Sequence, residues 1–239
     1  MVADALILFD IDGTLLIAGD RGHGKALLDA FREIYGLEPE TEGISYAGML
    51  DAQITRELIR RHPVDHNHME TRIAEMMQRM GELYEEYLAG RSLVERLLPG
   101  AASAVTATDS RGWTTGALTG NARRVAELKL GAAGLGHIAR VGAFGDTAAD
   151  RGHLVDAAWE SAERHLGVRY DAGQTVLIGD TPRDIAAARH AGAGIVAVAT
   201  GRFGADELTR LEPDAVLADL RDTDAFIAAV ENTLHRRSG

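Results

Sequence analysis

Apolar residues along the chain fall into two kinds of pattern. Short continuous runs rich in β-branched residues recur at 5–9 (ALILF), 113–119 (WTTGALT), 138–144 (IARVGAF), 175–179 (TVLIG) and 194–199 (GIVAVA). Runs of that length predict strands buried on both faces. Between and after the later runs, apolar residues return at spacings of three and four, which predicts helices over 121–131, 153–166, 183–191 and 222–235. Strands that alternate with helices of this length need crossover connections, so the expected fold class is α/β, a doubly wound parallel sheet with helices on both faces. Ligands in such sheets bind beyond the carboxyl ends of the strands.

A different pattern separates the first strand from the second. KALLDAFREIYG, AQITRELIRRH and NHMETRIAEMMQRMGELYEEYLAG all carry helical spacing and little strand signal. The expected organisation is a core built from 1–16 and 93–239, interrupted by an all-helical domain over 17–92, with the chain returning near Pro99 and Gly100. Met76, Met77 and Met80 are read as core of the inserted helices.

Composition narrows the chemistry. With 239 residues, 46% of them hydrophobic, the chain can bury a sizeable core. A formal charge of −11 disfavours nucleic acid and anionic membrane surfaces as partners. No apolar run approaches the roughly 20 residues of a membrane span, and no signal-peptide pattern opens the chain. The absence of cysteine excludes disulfides and thiolate chemistry and suits a cytoplasmic protein. A monomer or weak dimer is expected. Only Lys25 and Lys129 among the 25 basic residues are lysines, so an arginine is apt to stand where a lysine would serve.

The strand ends carry the polar residues that matter. Asp10 and Asp12 follow the first run, Thr119 the second, and Asp180 with Asp184 the fourth, so three distant segments bring acids and a hydroxyl to one sheet edge. Acids gathered in this way repel one another and call for a cation or a proton; a hard divalent ion with oxygen ligands, Mg2+, is the natural answer. Each residue also has a plainer reading. Asp12-Gly13 resembles an ordinary turn, Thr119 could simply precede a helix, and Thr181-Pro182-Arg183-Asp184 reads as a capping box with proline at the first helical position.

DIDGT at 10–14, LTG at 118–120 and GDTPRD at 179–184 resemble, in that order, the motifs of the haloacid dehalogenase-like hydrolase superfamily, and the resemblance spans the chain. It implies a Rossmann-like core with a helical cap and places Asp10 as a nucleophile that forms an aspartyl phosphate. Asp12 becomes the general acid and base. Asp10, Asp12 through its backbone carbonyl, Asp180 and Asp184 become the Mg2+ site, and Thr119 and Gly120 become donors to the phosphoryl oxygens. The implied substrate is a small phosphorylated metabolite, as in phosphoglycolate phosphatases. A sugar-phosphate mutase of the same fold and a catalytically silent phosphometabolite-binding regulator are the alternatives.

The family's basic residue, a lysine shortly before GDxxxD, has no counterpart here; Arg151 stands in that region. Lys129 is the rival, but a helix running from Thr119 would carry it on the order of 12 Å away. Arg151 is therefore expected to be the basic member of the site. Two other motifs are set aside. GDRGHGKA at 19–26 matches a phosphate-binding loop without its hydroxyl ligand and without a strand leading into it, so Arg21, His23 and Lys25 read as a basic hinge facing the substrate. His62, His66 and His68 read as a solvated loop rather than a zinc site.

Overall fold

A computed structural model describes residues 5–146 and 150–237. Its centre is a six-stranded, wholly parallel sheet in the order β3-β2-β1-β4-β5-β6. The strands are β1 (Leu6–Phe9), β2 (Thr114–Leu118), β3 (Gly142–Ala143), β4 (Thr175–Gly179), β5 (Gly194–Val198) and β6 (Ala215–Leu217). This is the doubly wound α/β order, in which the direction of winding reverses between β1 and β4. Alternation along the strands divides the core in two. Ile7, Phe9, Val176, Ile178, Val196 and Val198 face one hydrophobic cluster, and Leu6, Leu8, Leu177, Ile195 and Ala197 face the other.

Among the described residues there are ten α-helices: α1 (Arg21–Tyr35), α2 (Asp51–Arg60), α3 (His66–Glu70), α4 (Ile73–Leu88), α5 (Ala101–Ser110), α6 (Arg123–Ala132), α7 (Leu154–Leu166), α8 (Pro182–Ala191), α9 (Ala205–Thr209) and α10 (Thr223–Arg237). Helices α1 to α4 lie between β1 and α5 in the chain, as the periodicity of 17–92 predicts. The two connections into this insertion run side by side: Ile17 N donates to Arg96 O (2.9 Å) and Leu98 N to Leu15 O (2.9 Å). Helix α4 leans on α6, and Met76, Met80 and Tyr84 share one apolar cluster with Phe9, Val125 and Phe226. Through α6 the insertion thus joins the apolar cluster on one side of the sheet.

Three differences from the sequence reading have physical causes. The run at 138–144 yields only a two-residue edge strand, because Gly136–Arg140 coils into a 3-10 helix that packs beside α6 and buries Ile138. Helix α5 was not anticipated: its sequence, AASAVTATDS, spreads small residues around the whole helix and shows no apolar stripe. Strand β6 is three half-buried residues at the far edge, too short to register as a run.

Gly100 closes the insertion with φ +84°, and a Cβ there would lie 2.0 Å from Leu220 O; Gly167, at the end of α7, has φ +70° and open space around it. Replacing each by alanine separates backbone strain from collision. Chemical denaturation should show a loss of about 1 kcal/mol for Gly167→Ala and about 3 kcal/mol or more for Gly100→Ala. Equal losses would contradict the close approach of the 219–221 loop.

Candidate active site

Asp10 and Asp180 arrive at neighbouring positions because β1 and β4 pair in register, Phe9 opposite Ile178, with Asp10 N donating to Ile178 O (2.9 Å). The chain then turns at Gly13, whose φ is +96°. A Cβ at that glycine would stand 2.4 Å from Asp180 Oδ2, so the turn can lie against the carboxylate only without a side chain. Thr14 Oγ1 donates to Asp180 Oδ1 (3.3 Å), and Thr200 Oγ1 holds the Gly13 carbonyl (2.6 Å).

Oxygens of Asp10, Asp180 and Asp184 all lie within 4.8 Å of one another, and all three residues are buried. Burial pushes the Asp10 carboxyl up to about 7; Asp184 and Asp12 add to the rise and Arg151 opposes it. Asp180 is pushed up to about 8, by burial first and then by Asp10 and Asp184. This is the behaviour of a carboxylate cluster short of positive charge, and an oxygen-only donor set of this size fits a hard divalent cation. The three acids are not equivalent. Asp184 Oδ2 accepts from Thr181 N (3.0 Å) and Thr181 Oγ1 (2.6 Å), completing the capping box of α8, while its Oδ1 is held by the Arg151 guanidinium. The capping role and the place beside the cluster coexist.

Arg151 is buried and touches the cluster directly, with Nη2 3.3 Å from Asp10 Oδ1 and Nη1 donating to Gly48 O (3.2 Å). Although burial disfavours its charge, Asp184 and Asp10 hold the guanidinium firmly protonated. The expectation that Lys129 lies too far away is wrong. Its Nζ donates to both oxygens of Asp12 (2.9 and 2.6 Å) and to Asn121 Oδ1 (2.9 Å). Helix α6 starts at Arg123 rather than at Thr119, so Lys129 is fewer turns down, and its stem runs back toward the amino end as helical side chains do. Both cations therefore stand at the site, Arg151 on Asp10 and Lys129 on Asp12.

Burial opposes the charge on Asp12, yet Lys129, His23 and Asn121 hold its carboxyl below the usual range. Asn121 donates through Nδ2 to Asp12 Oδ2 (2.8 Å) and to Thr119 Oγ1 (2.7 Å), so it fixes the hydroxyl that the sequence singles out. Gly120 sits where the insertion meets the core. A Cβ there would lie 2.1 Å from Met49 O, and Gly120 O accepts from Asp51 N (2.8 Å).

Asp51, Asn121 and the part played by His23 were not anticipated. His23 Nδ1 lies 3.2 Å from Lys129 Nζ and Nε2 lies 3.1 Å from Asp51 Oδ2. Lysine offers only donors and the carboxylate only acceptors, so Nδ1 accepts and Nε2 donates. Asp51 Oδ2 also takes the Ala122 N–H (2.7 Å), so a residue of the insertion caps the start of α6. A signal for Asn121 was present in LTGN, one residue beyond the motif; Asp51 has none, because its partners are distant in sequence.

Of the basic hinge, only His23 lines the cavity, since Lys25 is drawn to Asp29 and Tyr87 on the surface. The GDRGHGKA segment is the capped start of α1, where Asp20 Oδ1 accepts from Gly22 N (2.8 Å). His66 Nε2 meets His62 O (3.1 Å), and among the described residues the three histidines form no metal-binding group. Met76, Met77 and Met80 are buried in the insertion as expected.

A model of haloacid dehalogenase-like hydrolases matches residues 5–192. No curated protein matches the chain in sequence. Among solved structures, β-phosphoglucomutase from Clostridium difficile is 16% identical with a TM-score of 0.67, covering 97% of each chain. CbbY from Rhodobacter sphaeroides, solved with xylulose-1,5-bisphosphate, is 20% identical with a TM-score of 0.66, over 91% of this chain and 95% of that one. A phosphonoacetaldehyde hydrolase-like protein from Oleispira antarctica is 19% identical with a TM-score of 0.65, over 98% and 94%. With the motif residues gathered at the ends of β1, β2 and β4 and the family match extending over most of its length, this chain belongs to the haloacid dehalogenase-like hydrolases.

Proposed function

We propose that the protein is a Mg2+-dependent phosphomonoesterase that works through an aspartyl phosphate on Asp10. The observation that supports this most is the pairing of Asp10 with Arg151 (3.3 Å) beside Asp12, which Lys129 holds at 2.6 Å. It puts a nucleophile, a proton-transfer group and two cations around one point. Residues 17–92 serve as a cap over that point, and the cysteine-free chain suits the cytosol.

Asp10 attacks phosphorus, forming an O–P bond as the ester O–P bond breaks. Arg151, whose Nη2 already faces Asp10, donates to a phosphoryl oxygen there and steadies the charge of the transferring group. The Thr119 hydroxyl, set by Asn121, and the Gly120 N–H complete the cradle. Asp12 gives a proton to the leaving alcohol in the first step and takes one from water in the second. Its ionised resting state suits the second step. For the first, the incoming phosphate draws the Lys129 charge toward itself and adds negative charge beside Asp12, so that Asp12 takes up a proton from solvent as the ester binds. Asp10, Asp180 and the Asp12 carbonyl would hold the cation, with Asp184 orienting Arg151; when bound, the cation supplies the positive charge that lets a carboxylate approach an anionic ester.

A second reading is a phosphomutase, which the likeness to structures named β-phosphoglucomutase favours. It would use the same groups but keep phosphate on Asp10 until a sugar arrives. A regulator without turnover has least support, since Asp10 and Asp12 are both present and paired with cations.

Single-turnover experiments separate these readings. Inorganic phosphate should appear as fast as ester disappears, and Asp10→Asn should lower the rate by about three orders of magnitude or more without lowering the melting temperature. Turnover by Asp10→Asn at the wild-type rate would refute the nucleophile, and stable retention of phosphate on the protein would favour the mutase.

Metal and pH are linked in sign. In the unfolded chain Asp10 and Asp180 ionise near 3.8, whereas in the folded, metal-free protein they keep protons up to about 7 and about 8. The folded state then binds more protons in that window, so its stability falls as pH rises through it. A cation that binds the ionised acids offsets this loss. Calorimetry should show the melting temperature in chelator falling from about pH 5 to about pH 8, and Mg2+ raising it more at the higher pH. A metal effect that does not grow with pH would contradict the assignment.

A further inference from the structure

The cavity that holds these residues extends well past them. Its volume is about 600 Å3, within the range of pockets that enclose sizeable organic ligands. A phosphoryl group bearing a two-carbon alcohol would leave most of it empty, and unfilled space forfeits dispersion contacts along every wall.

The lining is of two kinds. Asp10, Asp12, Asp180, Lys129 and Arg151 form the floor. The insertion adds Leu27 and Leu28 of α1, Tyr46, Met49, and Ile54 of α2 to the lining, an apolar surface beside that floor. Tyr46 is 42% exposed although it borders the cavity, and it is one of the few large apolar side chains so exposed among the described residues.

Charged groups bordering that apolar surface are already engaged. Asp20 accepts from Gly22 N (2.8 Å), His23 N (3.4 Å) and Tyr84 Oη (2.6 Å). Asp51 accepts from Ala122 N and His23, and His23 is held between Asp51 and Lys129. Two of these three groups are carboxylates. A second anionic group on a substrate would meet charge of its own sign there. Among the described residues, Arg202 is the remaining cation on the lining; it lies on the exposed loop after β5. An ion pair made there, in water, contributes little.

Building on the phosphomonoesterase reading, we infer that the substrate is a monophosphate ester of a neutral, largely apolar alcohol, of the size of an arylalkyl or branched alkyl group. Phosphorylated carboxylic acids and bisphosphates are the poorer substrates. Leu27, Leu28, Met49 and Ile54 set this preference by covering the carbon skeleton, while Asp20 and Asp51 reject a second anion.

The test compares three alkyl esters with the Mg2+-loaded, full-length protein: 2-phenylethyl phosphate, phosphoglycolate and glucose 1,6-bisphosphate. The value of kcat/KM for 2-phenylethyl phosphate should exceed each of the others by about tenfold or more. Leu28→Arg should narrow that ratio, and Arg202→Gln should change it by less than about twofold. Equal rates, or a preference for the anionic esters that disappears in Arg202→Gln, would overturn the inference while leaving the phosphomonoesterase reading intact. Release from none of the three, with acetyl phosphate also inert, would overturn both.

Discussion

Buried carboxylates of like charge at adjoining strand ends impose the constraint to which the rest of the site responds. Two unit charges 4 Å apart repel by about 4 kcal/mol at the effective dielectric of a protein site. Asp10, Asp180 and Asp184 stand within such distances, away from water. Positive charge must therefore come from somewhere. Arg151 supplies part of it to Asp10 and Asp184, and Lys129 satisfies Asp12 separately. The upward pressure on Asp10 and Asp180 persists beside these cations, and with Asp184 they form an oxygen cluster that could hold a divalent ion.

The same constraint explains how the insertion is held. The segment 47–51 lies on the core through polar contacts made to the residues that serve the acids. Arg151 reaches Gly48 O, Arg183 reaches Ala47 O, Asp51 N binds Gly120 O, and the Asp51 carboxylate caps α6. A movement of the insertion would change the hydrogen bonds of Arg151 and, through His23, those of Lys129. The contacts of the segment 47–51 are thus tied to the groups that surround Asp10 and Asp12.

Much of this was readable before any coordinates. The runs at 5–9 and 175–179 mark the central strands, and because parallel strands present their carboxyl ends to one edge, Asp10, Asp12, Thr119, Asp180 and Asp184 could be assigned to it. What stayed hidden depended on tertiary placement. Lys129 was set aside from helix length alone, a one-dimensional argument that neglects where α6 begins and which way its side chains lean. Asp51 and His23 find each other only after α1 and α2 pack over the core. Helix α5 escaped because an alanine- and threonine-rich segment has no apolar stripe to detect.

In the proposed reaction Asp10 bonds to phosphorus while Asp180 shares a cation with it. A crystal structure grown with Mg2+ and trifluoroberyllate tests this most directly. It should show beryllium bonded to an Asp10 carboxylate oxygen, Arg151 and Thr119 on the fluorines, and one ion bound jointly by Asp10 and Asp180. Beryllium fluoride on another residue, or an ion bound away from Asp180, would contradict it.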